Sequence, residues 1–207
     1  MILALLGVGL GAAAQTSVGF GLGLVSVAFL VAAVGPAQAI AAILFLSFLT
    51  NAMVVAREWQ NTVWPKALML AVPSLAIQLI FAQPVKRLDN QTATLLAGIV
   101  VLLAAAMLLS GMRAASLTGG RGLALAGGAS ALMNMTAGLG GPAAVLYATN
   151  AGWQPTMWRP TINLYFMINN AATMLLLDLR PPSDARLYLA AAAGGLVGVA
   201  MARQISP

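Results

Sequence analysis

The sequence predicts an all-α integral membrane protein of two inverted repeats, each opening with a broken or re-entrant helical hairpin. Three observations lead there: composition, the length of the apolar stretches, and a duplication at one fixed offset. Of 207 residues, 61% are hydrophobic and 7% charged, with a mean hydropathy of +0.93, which leaves too few polar residues to cover a water-facing surface. Apolar stretches run over residues 36–56, 63–82, 91–112 and 158–177. Each is near the roughly 20 residues that a helix needs to cross about 30 Å of hydrocarbon. A β-barrel would instead show segments of about ten residues alternating apolar and polar, and the sequence has no such alternation. The expected setting is therefore the inner membrane of a bacterial cell, crossed several times.

The duplication appears on shifting the chain by 119 residues. Ser17, Gly19 and Gly21 then fall on Thr136, Gly138 and Gly140, Pro36 on Pro155, and Asn51 on Asn170, without a gap. At background usage of Gly and Pro, such a coincidence arises by chance at on the order of one offset in ten thousand. The organisation expected from it is a first repeat over 1–113, a Gly-rich linker over 114–121, and a second, C-terminally shortened repeat over 122–207. The start of the chain is apolar with no basic flank and no charge before Arg57, so it reads as part of the fold rather than as a signal peptide.

Each repeat opens with two apolar pieces, 1–14 and 22–34 in the first, 123–135 and 142–151 in the second, separated by Ser/Thr-x-Gly-x-Gly. At 10 to 14 residues a piece reaches only about 15–21 Å, too short to cross unaided. A re-entrant hairpin follows. Three complete spans would then remain in a full repeat, and an odd number inverts the second copy. The two glycine-rich tips would meet near the midplane, at a depth where irregular backbone survives only inside protein or beside a wet cavity.

The chemistry available there suits an anion. Helices opening at Leu22 and Pro142 would present backbone N–H groups without intrahelical partners at the positive end of a dipole. Gly19, Gly21, Gly138, Gly140 and Gly141 allow close backbone approach and positive φ. Thr16, Ser17 and Thr136 supply hydroxyl donors, and Asn51 and Asn170 amide donors. Other uses of the same residues compete: glycines permit close helix packing, and the two asparagines serve as interhelical hydrogen bonds. Arg159 reads as an interfacial anchor, and Trp59, Trp64, Trp153 and Trp158 as a belt at the membrane surfaces.

Composition excludes several classes. With neither histidine nor cysteine, the chain lacks the usual transition-metal ligands, disulfides and a base for Ser17; Lys66 is the least implausible substitute. Glu58, Asp89, Asp178 and Asp184 all fall in expected connections, so no aspartyl pair forms. The chain is read as no enzyme, with no cofactor and no metal. Its net charge of +6 sits in short connections, where it anchors helix ends rather than binding nucleic acid. The expected partners are a small anionic substrate and the lipid bilayer, with self-association left open.

The duplicated motifs resemble the sulfite exporter TauE/SafE family of membrane transporters. The resemblance is carried by QTSVGFGLG at 15–23 with Pro36-Ala37 and Asn51 downstream, and by TAGLGGPAAVLY at 136–147 with Arg159-Pro160 and Asn169-Asn170 downstream. It spans nearly the whole chain. It implies a multi-pass topology and movement of sulfur oxyanions or organosulfonates, commonly outward. A passive anion channel using the same tips is the alternative.

If the hairpins do not cross, Arg57, Lys66, Arg113, Arg121, Arg159 and Arg203 fall on one face, and Lys86, Arg87, Arg180 and Arg186 on the other. Six against four makes the first face cytoplasmic under the positive-inside rule, with the N-terminus outside and the C-terminus inside. A C-terminal reporter that works only in the cytoplasm is expected to be active; activity of one that works only outside overturns the assignment.

Overall fold

The computed structural model describes residues 1–110 and 118–205. Among them lie nine α-helices and no strand: α1 (Ile2–Val18), α2 (Leu22–Val34), α3 (Pro36–Glu58), α4 (Trp64–Lys86), α5 (Asn90–Ser110), α6 (Gly120–Ala137), α7 (Gly141–Asn150), α8 (Pro155–Leu176) and α9 (Ala185–Ile205). Arg113 and residues 114–117 of the linker expected at 114–121 fall outside the described residues, and the linker's last two positions already belong to α6.

The two opening helices are longer than the apolar pieces suggested. α1 has 17 residues and α6 has 18, so they reach about 25 and 27 Å. Their polar ends are helical too, and there the hydroxyls bond back one turn. Thr16 Oγ1 donates to Ala12 O at 2.9 Å, Ser17 Oγ to Ala13 O at 2.7 Å, and Thr136 Oγ1 to Leu132 O at 2.7 Å. A hydroxyl bonded this way needs no water and does not end a helix. Termination falls instead on Gly19 and Gly138, left-handed caps with φ of 97° and 69°, a conformation open to glycine without the cost a Cβ imposes.

Helix starts keep the offset seen in the sequence. Leu22 and Gly141, and likewise Pro36 and Pro155, open corresponding helices 119 residues apart. α3 and α8 pack against each other at the centre, and they run antiparallel. At one end Glu58 of α3 pairs with Arg159 of α8 at 3.4 Å; at the other, Ala37 and Ile40 share a cavity with Leu177 and Leu179. The ion pair of Lys86 with Asp178 ties the end of α4 to that second end.

The fourth helix of each half packs on the opposite half. α9 lies along α1 and α4 along α6. One buried cluster accordingly joins Val8, Leu22, Leu30 and Ile43 to Leu187 and Ala191 of α9, and another joins Tyr147, Ile162 and Tyr165 to Leu70 and Ala71 of α4. Three segments, Pro36–Asn61, Trp64–Lys86 and Asn90–Leu109, are long and apolar enough to cross a membrane. α5 is the least enclosed of the three, with 11% of its span buried against 61% for the span of α3; in lipid an exposed apolar surface carries no penalty.

The α1–α9 contact depends on missing side chains. A Cβ on Gly194 would collide with the Gly9 carbonyl, and one on Gly198 with Thr16 Oγ1 and Ala13 O. Gly194→Ala is therefore expected to push the helices apart and destabilise the detergent-solubilised protein by about 1–3 kcal/mol. Gly98→Ala, on α5 with nothing within 4 Å of the added carbon, is the control. Equal thermal stability of the two variants would contradict this packing.

Candidate functional site

The first tip, Gly19-Phe20-Gly21, reverses the chain between α1 and α2 with φ of 97° at Gly19 and 131° at Gly21. Its exposed peptide groups are taken up by side chains from elsewhere. Asn163 Nδ2 donates to Gly19 O at 3.1 Å, and Arg159 Nη2 donates to Thr16 O. The Leu22 N–H, first in α2, donates to Gln15 Oε1 at 3.1 Å. Gln15 Nε2 in turn donates to Asn51 Oδ1 on α3.

The second tip, Gly138-Leu139-Gly140, joins α6 to α7. Ser130 Oγ donates to Gly140 O at 2.6 Å, and Asn134 Nδ2 donates to Asn170 Oδ1 and to Thr173 Oγ1, both at 3.1 Å. Gln15 with Asn51 and Asn134 with Asn170 are thus the same contact in each half, at the same sequence separation of 36. Behind this tip lies a buried polar network. Ser74 Oγ donates to Asn169 Oδ1 at 2.5 Å, Gln78 Nε2 donates to the same oxygen, and Tyr165 OH donates to Ser74 Oγ at 3.3 Å.

The tips meet. A Cβ on Gly23 would lie 2.5 Å from Gly138 O, and one on Gly141 would lie 3.2 Å from Phe20 Cβ. Between them is a cavity of about 30 Å³, lined by Gly21, Asn51, Gly138, Gly140, Gly141 and Asn170 of the expected site, and by Gln15, Ser47 and Asn134 besides. Every polar side chain lining it is neutral. Asn51 is fully buried, and its Nδ2 has no hydrogen-bond partner; Asn169 Nδ2 is in the same position.

Four expected site residues do not line it. Thr16 faces α9 and donates to Gly195 O at 3.0 Å, Ser17 and Thr136 spend their hydroxyls on their own helices, and Gly19 abuts Arg159 and Asn163. Two expected roles also change. Gly140 has φ of −65° and α7 begins at Gly141 rather than Pro142, so Gly140 is required for space: a Cβ there would lie 3.0 to 3.2 Å from Ser130, Asn169 and Asn134. The Leu22 N–H, expected to face the anion, is consumed by Gln15.

Gln15 and Asn134 were missed, although the offset of 119 that found the glycines aligns these two amides as well. Ser74, Gln78 and Asn169 had no such signal. Arg159 is more than an anchor, since it joins Glu58 to the first tip. Lys66 and Ser17 take other partners, Lys66 Nζ standing 4.7 Å over the Trp153 ring. Asp89 and Asp184, held below the usual carboxylate range by hydrogen bonds from Thr92 and Arg186 respectively, do not line the cavity.

No curated protein and no solved structure matches the chain significantly. The family model described as Sulfite exporter TauE/SafE matches residues 3–207. With that match over almost its whole length, and with three segments long and apolar enough to cross a membrane, the chain is a multi-pass membrane transporter and belongs to the sulfite exporter TauE/SafE family.

Proposed function

We propose that the protein carries a small sulfur oxyanion or organosulfonate outward across the bacterial inner membrane, binding it between the two glycine-rich tips. The observation that carries this reading is the neutral cavity where both tips converge on Asn51, whose buried NH2 group has no partner in the protein. A buried donor left unmade is costly, and an acceptor-rich anion relieves that cost. Neutral amides and hydroxyls hold an anion without a fixed counter-charge, weakly enough for release.

The matching tip contacts and the antiparallel course of α3 and α8 support an inverted-repeat arrangement with its site at the repeat interface. A space of about 30 Å³ has room for little more than a water or two. An oxyanion of four or more heavy atoms enters only as the tips move, which favours a carrier over the standing pore of a channel.

The direct test is thermal stabilisation of purified protein by sulfite, thiosulfate, methanesulfonate and a small carboxylate, because a ligand that binds only the folded state raises its stability. We expect one of the sulfur anions to stabilise the wild type. Gly21→Val and Gly138→Val should abolish that shift and the flux, a β-branched residue at positive φ straining the tip by about 1–3 kcal/mol. Gly140→Val should do so by filling the space beside Asn169. If all three variants insert and transport normally, the site lies elsewhere.

The cavity lining contains no titratable side chain, so an anion leaving a negative interior gains about 2.3 kcal/mol per charge per 100 mV without a coupled proton. In proteoliposomes, outward flux is expected to follow an imposed potassium-diffusion potential and to change little with a pH gradient at zero potential. Strict dependence on the pH gradient with no response to voltage would refute this coupling.

A further inference from the structure

We infer that Gln15 sets the hydrogen-bonding polarity of the site: anchored on a backbone N–H, it turns the NH2 of Asn51 toward the cavity, so that the site accepts a deprotonated oxyanion and disfavours a protonated acid. This rests on the anion site proposed above and adds the residue that selects the ionisation state.

One group at the first tip has a single hydrogen-bonding role. The Leu22 N–H is a donor, so the Gln15 branch facing it at 3.1 Å is the oxygen. The other branch, Nε2, then faces Asn51 and requires its oxygen, Oδ1, in opposition. Asn51 Nδ2 is left over. Asn51 is fully buried, lines the cavity, and finds no partner for this nitrogen. The orientation of two amides, ordinarily ambiguous, is fixed here by one peptide group.

A parallel arrangement stands behind the second tip. The Asn169 carbonyl is an acceptor only, and Gln78 Nε2 lies 3.3 Å from it. The same nitrogen donates to Asn169 Oδ1, as does Ser74 Oγ. Asn169 Nδ2 remains unpartnered, 3.1 Å from where a Cβ on Gly140 would stand. Meanwhile the oxygens of Gln15, Asn51, Asn170 and Gly140 each already accept a hydrogen bond from the protein. What Asn51 and Asn169 leave unmade is in each case a donor, which an ionised ligand oxygen satisfies and an acid O–H does not.

The test exchanges one atom of the relay. In Gln15→Glu the ionised carboxylate still accepts from Leu22 N–H, but its second oxygen now needs a donor. Asn51 must rotate, turning Oδ1 toward the cavity. Protonation of the introduced group restores a donor at that point and with it the original orientation of Asn51. Binding is measured with methanesulfonate and sulfate, which stay ionised at neutral and mildly acidic pH.

Wild-type affinity should be flat over that range. Gln15→Glu should bind on the order of tenfold or more weakly at neutral pH, the scale of one hydrogen bond to a charged group, and recover most of this as the pH falls. Gln15→Met, which has no hydrogen-bonding branch, should be weakened at every pH alike, and it carries the test should the first variant fail to fold. Wild-type affinity in Gln15→Met, or a folded Gln15→Glu with no pH-dependent recovery, overturns the inference alone. A wild type that binds neither these anions nor sulfite and thiosulfate overturns the anion site itself.

Discussion

A chain that reverses direction among apolar helices must satisfy its own peptide groups, because lipid offers them no partner. Both tips are organised by this constraint. At the first, the Leu22 N–H, the Gly19 carbonyl and the Thr16 carbonyl are met by Gln15, Asn163 and Arg159. At the second, Ser130 meets the Gly140 carbonyl. A satisfied hydrogen bond adds only about 1 kcal/mol net, while an orphaned buried group costs about 1–3 kcal/mol. The polar residues near the tips are therefore needed for folding before they are available for function. What distinguishes the candidate site is that one amide lining its cavity, Asn51, keeps an unmade donor once that requirement is met.

The parts of this fold written as pattern were legible in the sequence. Apolar length identified the helices α3, α4 and α5, and the offset of 119 placed both tips, because glycine and proline are required there for backbone reasons that any copy must keep. The candidate site was legible only in part. Thr16, Ser17 and Thr136 looked like ligands because hydroxyls stand beside glycines, yet a hydroxyl on a helix can always bond to the carbonyl one turn back, and local competition wins. Ser74 and Gln78 could not be found, since nothing in the sequence around them says that α4 leaves its own half to pack on α6.

That exchange also explains why the halves differ where their backbones correspond. Under the offset, Ser130, Ser74, Gln78 and Thr173 fall on Gly11, Ala193, Val197 and Val54. The α4–α8 contact is thus built from buried hydrogen bonds, whereas α4–α6 and α1–α9 both rest on small residues in close approach, at Gly127 and at Gly194 and Gly198. The first tip lacks that polar network and is supported instead from α8, by Arg159 and Asn163, whose counterparts Ile40 and Leu44 are apolar. α8 also supplies Asn169, Asn170 and Thr173 to the second tip. One helix serves both tips, and it carries five buried polar residues, Thr161, Asn163, Asn169, Asn170 and Thr173. A segment this polar is stable at depth only because other helices enclose it.

The two ends of the protein are consequently unequal. Near the first tip, Arg159 binds both the carbonyl end of α1, where the helix dipole favours a cation, and Glu58, with each side chain less than one-fifth exposed. Separating that pair means exposing charge in a medium of low dielectric, which costs more than at a wet surface. Beside the second tip the chain instead leaves a cavity of about 180 Å³, where Met135 and Thr136 face Lys86, Asn90 and apolar residues of α3 and α4. An ion pair stands at its edge too, but an open one: Lys86 pairs with Asp178, which lies between the lining residues Leu177 and Leu179 and is exposed. The two ends are thus held by unlike means, a part-buried ion pair with a helix C-cap near the first tip and an exposed ion pair beside a mostly apolar cavity near the second. Breaking the first therefore costs more than breaking the second.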